Sequence, residues 1–184
     1  MTNVETKNSN QLFHGDIFDV IQKEYESPEQ GQFKRQIVEL HSNAVAMLML
    51  DYPTNTVYVT SEFRAGINKV IESIPAGKID KGESPEEAMI REIKEETGFI
   101  LDSASQIQKI TTINSSEGFT NEKVTLFVVN DDFNIKTQHD PEFDHDEFIT
   151  GKWVPFDQWY AKVMNSTESY SAPAVITALW AASH

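Results

Sequence analysis

The sequence predicts an α+β fold, a mixed sheet flanked by helices, with a small antiparallel β-sheet subdomain at its N-terminal side. Three observations carry this. Apolar runs of strand length, such as AVAMLML (44–50) and KVTLFVV (123–129), alternate with helical periods, but not in regular βαβ units. One helical period, from about Pro85 to Thr97, has both of its ends marked by capping residues. Residues 11–41 carry strand patterning and turn chemistry, yet too little apolar mass for a core of their own.

Residues 1–10, MTNVETKNSN, are polar and are expected to be disordered. Residues 11–41 form the small β subdomain, with LFHGDIFDVIQKEY and FKRQIVEL as strands and the turn marked by Ser27-Pro28 and Gly31. Lacking its own core, this segment must dock on the main body or on a second subunit. The main domain covers 42–184. AVAMLML is continuous enough for a strand buried on both faces, YPTN is a turn, and TVYVTSEF is β-branched and aromatic. After the helix come strands at IQKITTI and KVTLFVV, and then a polar, acidic stretch at 131–147. A strand near FITGKWV and helices over Phe156–Met164 and Pro173–Ala182 complete the chain.

The 184 residues suit one domain with a small appendage. With 15 Lys+Arg against 29 Asp+Glu, the net charge of −14 excludes a nucleic-acid backbone or an anionic membrane surface as a partner. The absence of cysteine removes disulfides, thiolate metal sites and thiol nucleophiles. No apolar run approaches the roughly 18 residues of a membrane span, and the first residues lack a signal-peptide core, so a cytoplasmic protein is expected. His14, His41, His139 and His184 show no metal-ligand spacing and read as surface or strand residues. Trp153, Trp159 and Trp180 fall in predicted elements and read as core.

The informative stretch is IPAGKIDKGESPEEAMIREIKEETGFI, 74–100. Ser84 suits the N-cap, Pro85 the first helical position, Glu87 the capping box, and Gly98 the left-handed stop. On a helical wheel Glu92, Glu95 and Glu96 cluster beside the core stripe of Met89, Ile90, Ile93 and Thr97. Glu92 and Glu96 repel at i,i+4 and also oppose the helix dipole. A hard divalent cation reverses both penalties. A helix like this, taken alone, would read as a solvated acidic face. The preceding loop weighs against that, because Pro75-Ala76-Gly77 and Gly82 allow backbone to approach a ligand closely.

The spacing from Gly77 through Glu83 to Arg91-Glu92-Ile93-Lys94-Glu95-Glu96-Thr97-Gly98-Phe99 resembles the Nudix box, with Phe99 where an aliphatic residue is more usual. The resemblance implies an α/β/α sandwich and a hydrolase that cleaves nucleoside diphosphates linked to another group, using Mg²⁺, with Mn²⁺ as a substitute. It implies that Glu92 and Glu96 ligate metal with Glu95 beside them, and that Glu83 and Arg91 form a supporting ion pair. PAGKIDKGESPEEA is similar to the ADP-ribose pyrophosphatase branch, which adds the Ala76 carbonyl as a metal ligand and Arg64, in SEFRAG, as a contact for substrate phosphates. NSSEGFTNEKVTLFVV resembles a further stretch of that branch and implies that Glu122 lies near the metal end of the site. The segment 11–41 resembles its dimerisation domain, which implies a homodimer and a substrate contact from Arg35. One departure is Ser73, where the branch carries a glutamate; Glu72 stands one place earlier.

DPEFDHDEFI resembles the late acidic loop of the same branch, which supplies a metal ligand and a catalytic carboxylate. Glu147 takes the ligand position. The base falls among Asp144, His145 and Asp146, with Glu95 as the alternative from the box. The expected function is an Mg²⁺-dependent pyrophosphohydrolase acting on ADP-ribose or a related nucleoside diphosphate sugar, giving a nucleoside monophosphate and a sugar phosphate. Two alternatives remain open: a Nudix hydrolase for another nucleotide sugar or a dinucleotide, and a nucleotide-sensing Nudix domain without catalysis.

Overall fold

A computed structural model describes residues 3–142, 149–167 and 169–184. The chain divides into two units, Met1–Asn43 with Ile113–Lys123, and Ala44–Thr112 with Val124–His184.

In the first unit, β1 (Glu5–His14), β2 (Phe18–Ser27) and β3 (Gly31–Leu40) make an antiparallel meander. Its second turn uses Gly31 at φ 68°, and the Ser27 hydroxyl accepts from the Gln30 N–H at 3.0 Å. β1 begins at Glu5, inside the stretch whose polarity predicts disorder. All ten of its residues are exposed, because main-chain pairing to β2 holds the strand and needs no apolar side chain. The sequence-based boundary also misses a piece. Residues 113–123, expected within the main domain, join this unit because the Val38 N–H donates to the Phe119 carbonyl (2.7 Å) and the Leu40 N–H to the Asn121 side chain (2.7 Å). Ile21 is the one buried apolar side chain among the unit's described residues, in keeping with its small apolar content.

The second unit is built on a mixed sheet. Its strands are β4 (Ala44–Asp51), β5 (Thr56–Arg64), β6 (Lys69–Ser73), β7 (Ala76–Lys78), β8 (Gln106–Asn114), β9 (Lys123–Asp131) and β10 (Ile149–Pro155). The strand order is β10-β5-β4-β9-β8, with β6 on β5 and β7 on β4. β4 and β9 run parallel, joined by a crossover that contains helix α1 (Pro85–Thr97), whereas β10, β6 and β7 pair antiparallel with their neighbours. β4 is apolar on both faces because both are covered. Val45, Met47 and Met49 cluster with Ala88, Met89 and Ile93 of α1 and with Phe127 and Val129 of β9. Its alternate residues Ala46 and Leu48 are equally buried, and α3 (Ala172–Ser183) packs on this strand and on α2 (Phe156–Asn165). Trp159 is core as expected, and Trp153 packs at the edge of the α1 cluster.

The feature that positions the functional site is a split in β4's pairing. Its C-terminal end pairs with β5, at Leu50–Val57 and Asp51–Thr56, and its N-terminal end pairs with β7, at Val45–Gly77 and Ala46–Ala76. The Met47 N–H donates to the Pro75 carbonyl at 3.0 Å. The box loop is thereby held as part of the sheet in front of α1.

Candidate active site

Helix α1 starts and stops where its local sequence dictates. Ser84 accepts from the Glu87 N–H at 3.2 Å, Glu87 accepts from the Ser84 N–H at 2.8 Å, and Gly98 sits at φ 75° with its N–H on the Lys94 carbonyl. A cap of this kind stabilises a helix by about 1 kcal/mol. Its amphipathic face then has one outcome. Met89 and Ile93 enter the core, and the residues beside that stripe, Glu92 and Glu96, are carried inward with it to 9% and 5% exposure. The helix face is therefore not a solvated acidic surface. Two carboxylates one turn apart are held against the sheet, where like-charge repulsion is screened less than in water.

Arg91 organises the acidic groups. Its Nε and Nη2 donate to the two oxygens of Glu83 at 3.0 and 2.9 Å, a bidentate pair. Nη1 donates to Glu92 and to Glu95, both at 2.8 Å, and Nη2 also reaches the Lys78 carbonyl at 2.8 Å. One planar guanidinium thus joins the loop, the strand and the helix, which a lysine could not do in this geometry. The hydrogen bond from Arg91 holds the Glu83 carboxyl below the usual carboxylate range. The same bond with Glu83 raises the Arg91 guanidinium still further above neutrality. Glu95 is more open, at 39% side-chain exposure.

The backbone of the box loop closes in on these carboxylates. The Ala76 N–H donates to Glu96 at 3.3 Å. Gly77 has a different reason to be glycine from the ligand approach that its sequence context implies. A Cβ there would lie 1.9 Å from Cδ of Glu92 and 2.0 and 2.2 Å from its oxygens, so the carboxylate occupies the space a side chain would fill. Tyr58 was not among the residues the sequence singles out. Its phenol is held above its ordinary range, first by burial and then by the negative charge of Glu96. No local pattern signals this electrostatic influence, since Tyr58 reads as an ordinary strand aromatic.

A second support also escapes sequence patterning. The segment after the 3-10 turn at Phe133–Ile135 straps the end of α1 and satisfies carbonyls that a helix terminus leaves open. The Gln138 side chain donates to Thr97, the His139 N–H to Gly98 at 2.9 Å, and the Glu142 N–H to Glu95 at 2.8 Å. A Cβ on Gly98 would meet the His139 carbonyl oxygen at 1.9 Å, a second constraint beyond its positive φ. The acidic stretch therefore begins as structure. Asp131 is buried and pairs with Lys136 (3.1 Å), which also holds Asp102 (2.8 Å). Asp144, His145, Asp146 and Glu147 lie outside the described residues. Their flanks are placed: Glu142 on the last turn of α1, and Ile149 opposite Glu62 of β5.

The remaining candidates fall as follows. Arg64 ends β5 and pairs with Glu62 at 2.8 Å. Glu72, beside the departure at Ser73, is engaged by Lys162 (3.0 Å) and Lys152 (3.2 Å). Burial raises its carboxyl, but the two lysines together outweigh that and hold it low. Ser73 instead meets the Ser171 hydroxyl at 2.9 Å. Arg35 and Glu122 belong to the first unit. Arg35 is exposed on β3 with its guanidinium 4.9 Å from the Phe33 ring centroid, and the Glu122 carbonyl accepts from the Ser115 N–H at 3.1 Å.

The donor set fits a hard divalent cation. Glu92 and Glu96 supply buried carboxylate oxygens one turn apart, Glu95 supplies a more exposed one on the same Arg91 nitrogen as Glu92, and the absence of a side chain at Gly77 gives the Glu92 carboxylate its space. No helix among the described residues is long and apolar enough to cross a membrane.

Comparison with known proteins gives a consistent result. The NUDIX domain family matches residues 40–174. The chain is 34% identical over 162 residues to an ADP-ribose pyrophosphatase of Bacillus subtilis (strain 168), covering 88% of this chain and 83% of the relative. It is 31% identical over 145 residues to a methanol dehydrogenase activator of Bacillus methanolicus, covering 79% and 75%. The crystal structure of an ADP compounds hydrolase superimposes with a TM-score of 0.80 at 18% identity, covering 98% of this chain and 95% of that one, a likeness of fold.

Proposed function

This chain belongs to the Nudix family and is a Nudix hydrolase, and from that premise we propose that it cleaves the diphosphate of ADP-ribose or a closely related nucleoside diphosphate sugar in an Mg²⁺-dependent reaction. The products are a nucleoside monophosphate and a sugar phosphate. The observation that carries the chemistry is the burial of Glu92 and Glu96 on one face of α1, with the Ala76–Gly77 backbone pressed against them. The substrate rests on the similarity to the ADP-ribose pyrophosphatase, which spans most of both chains.

Glu92, Glu96 and the Ala76 carbonyl would hold the metal, with Glu147 as a further ligand. When bound, the cation offsets the charge that gathers on the phosphate oxygens as water attacks and orients that water. The protein's own part is preorganisation. Arg91 fixes the direction of Glu92 and Glu95 through two hydrogen bonds from one nitrogen, and Glu83 fixes Arg91. Thus Glu83 and Arg91 support the site without touching substrate. A proton must leave the attacking water. Glu95, exposed and adjacent to the metal-binding carboxylates, is one acceptor, and Asp144, His145 and Asp146 are the others. Arg64, through its permanently charged fork, and Glu122 are proposed substrate contacts, and Arg35 is proposed to reach a substrate held by the other subunit of a dimer.

The test is a panel of nucleoside diphosphate compounds incubated with the protein and Mg²⁺ or Mn²⁺, with products separated and identified. AMP and ribose 5-phosphate from ADP-ribose, at a higher kcat/KM than from other nucleotide sugars or dinucleotides, is the expected result. Tight binding of ADP-ribose without turnover would favour a sensing domain instead.

A further inference from the structure

We infer that the small N-terminal sheet carries a metal site of its own, formed by His14, Asp19 and His41 and suited to zinc or another borderline transition-metal ion. The three residues are distant in sequence pattern but meet at one end of the meander. His14 is the last residue of β1 and pairs in register with Asp19 near the start of β2. β3 ends with Leu40 opposite Phe18, which delivers His41 to the same end. Nδ1 of His14 lies 2.6 Å, and Nε2 of His41 3.2 Å, from the same oxygen of Asp19. All three ligand atoms lie within 4.8 Å of one another. Donor atoms at about 2.0 Å from a tetrahedral ion stand about 3.3 Å apart, so small side-chain rotations bring these three into a coordination shell.

A second, independent observation concerns the far nitrogen of His41. Its Nδ1 lies 3.1 Å from the Asp16 carbonyl oxygen, to which it donates. In the neutral imidazole that makes this bond the lone pair sits on Nε2, the atom 3.2 Å from Asp19, so a metal ion would take the place of the proton that otherwise joins Nε2 to that carboxylate. The turn that presents the carbonyl is tied down on both sides, since the Gly15 N–H donates to Phe18 (3.0 Å) and the His41 N–H to Ile17 (3.1 Å). His14 is largely exposed, which leaves room for water to complete the shell.

Two imidazole nitrogens and one carboxylate prefer Zn²⁺, Co²⁺ or Ni²⁺ to Mg²⁺, which takes oxygen donors. The box carboxylates have the opposite preference, so the two sites sort cations by donor type. An ion here would cross-link the ends of β1, β2 and β3 in a unit with little apolar core.

The test uses untagged, full-length protein stripped with chelator and held in excess Mg²⁺ to occupy oxygen-rich sites. Co²⁺ is titrated while its visible absorption is followed, and Zn²⁺ is then added. One equivalent of Co²⁺ with the intense bands of low coordination number, displaced by one equivalent of Zn²⁺, is expected. His14→Ala and His41→Ala should each weaken binding at least about tenfold, and Asp19→Asn is a second route should either variant be unstable. Zn²⁺ should raise the Tm of the wild type and not of these variants. His139→Ala, a histidine outside the cluster, should bind as the wild type does. Unchanged Co²⁺ bands and stoichiometry in a folded His14→Ala/His41→Ala protein, or no Co²⁺ binding by the wild type, overturns the assignment.

Discussion

Replacing Gly77 by alanine tests whether the cradle around Glu92 is functional and not merely tight. The added methyl would sit 1.9 Å from Cδ of Glu92, and ordinary contact begins near 3.4 Å, so the carboxylate must retreat by about 1.5 Å. The obstructing atoms are the far end of a flexible side chain, not backbone, so the fold can absorb the change. The cost to stability should stay within about 1–3 kcal/mol, the range for overpacking. Activity has no such freedom. A misplacement of about 1 Å in a catalytic array can cost about a hundredfold in rate, and Glu92 would also strain its 2.8 Å bond from Arg91. We expect kcat/KM on ADP-ribose to fall about a hundredfold or more, with a raised Mg²⁺ requirement and a Tm lower by a few degrees. Steady-state kinetics across an Mg²⁺ series and thermal denaturation give both numbers. Gly66→Ala, where nothing lies within 4 Å of the new methyl, controls for the loss of glycine itself. A folded Gly77→Ala protein within about threefold of wild-type kcat/KM would show that the position of Glu92 does not matter to the chemistry.

Four further outcomes are expected. Glu96→Gln should lower kcat at least about a hundredfold while leaving the fold intact, because the buried carboxylate proposed to hold the metal loses its charge; near-normal turnover in saturating Mg²⁺ would remove Glu96 from the proposed ligand set. Glu83 has its pKa lowered from 4.5, so its pairing with Arg91 stabilises the fold above that pH and is lost as pH falls through the lower, folded-state value. Denaturant titrations from neutral to acid pH should therefore show a smaller loss of stability below 4.5 in Glu83→Gln than in the wild type; parallel curves would refute the linkage. Glu147→Gln should lower kcat more than it raises KM, and single changes at Asp144, His145, Asp146 and Glu95 should identify the base through loss of one limb of the pH–rate profile; if none moves kcat beyond about twofold, the base lies elsewhere. Finally, the first unit exposes Leu12, Phe13 and Ile17 to about half their area, and among the described residues β1 has a strand partner on one side only, so a homodimer through this unit is expected. Phe13→Asp should convert it to monomer by sedimentation, and a monomeric wild type would end the idea.

Helix α1 and its boundaries were legible because their causes are local. A cap, a proline at the first position and a left-handed glycine act within four residues, and so does the periodicity that sets Glu92 and Glu96 beside Met89 and Ile93. The Glu83–Arg91 pair was legible for a different reason, as part of a spacing shared with a known family, and the structure supplies its bidentate geometry. The continuous apolar run of β4 likewise announces a strand covered on both faces.

Tertiary pairing decided the rest, because those contacts join residues with no fixed sequence spacing. The polar start of β1 becomes a strand only when β2 offers its hydrogen bonds. Residues 113–123 join the small unit only when the edge of β3 presents Val38 and Leu40. Gly77 is constrained by a carboxylate 15 positions later, and Gly98 by a carbonyl 41 positions later. His14 and His41 have no ligand spacing on the chain, yet β-sheet register brings both to Asp19. Local sequence sets the boundaries of α1 and the apolar strands, and which faces they bury. Close approach between segments depends on how those faces and edges pair, and it is there that Glu92, Tyr58 and His41 acquire their surroundings.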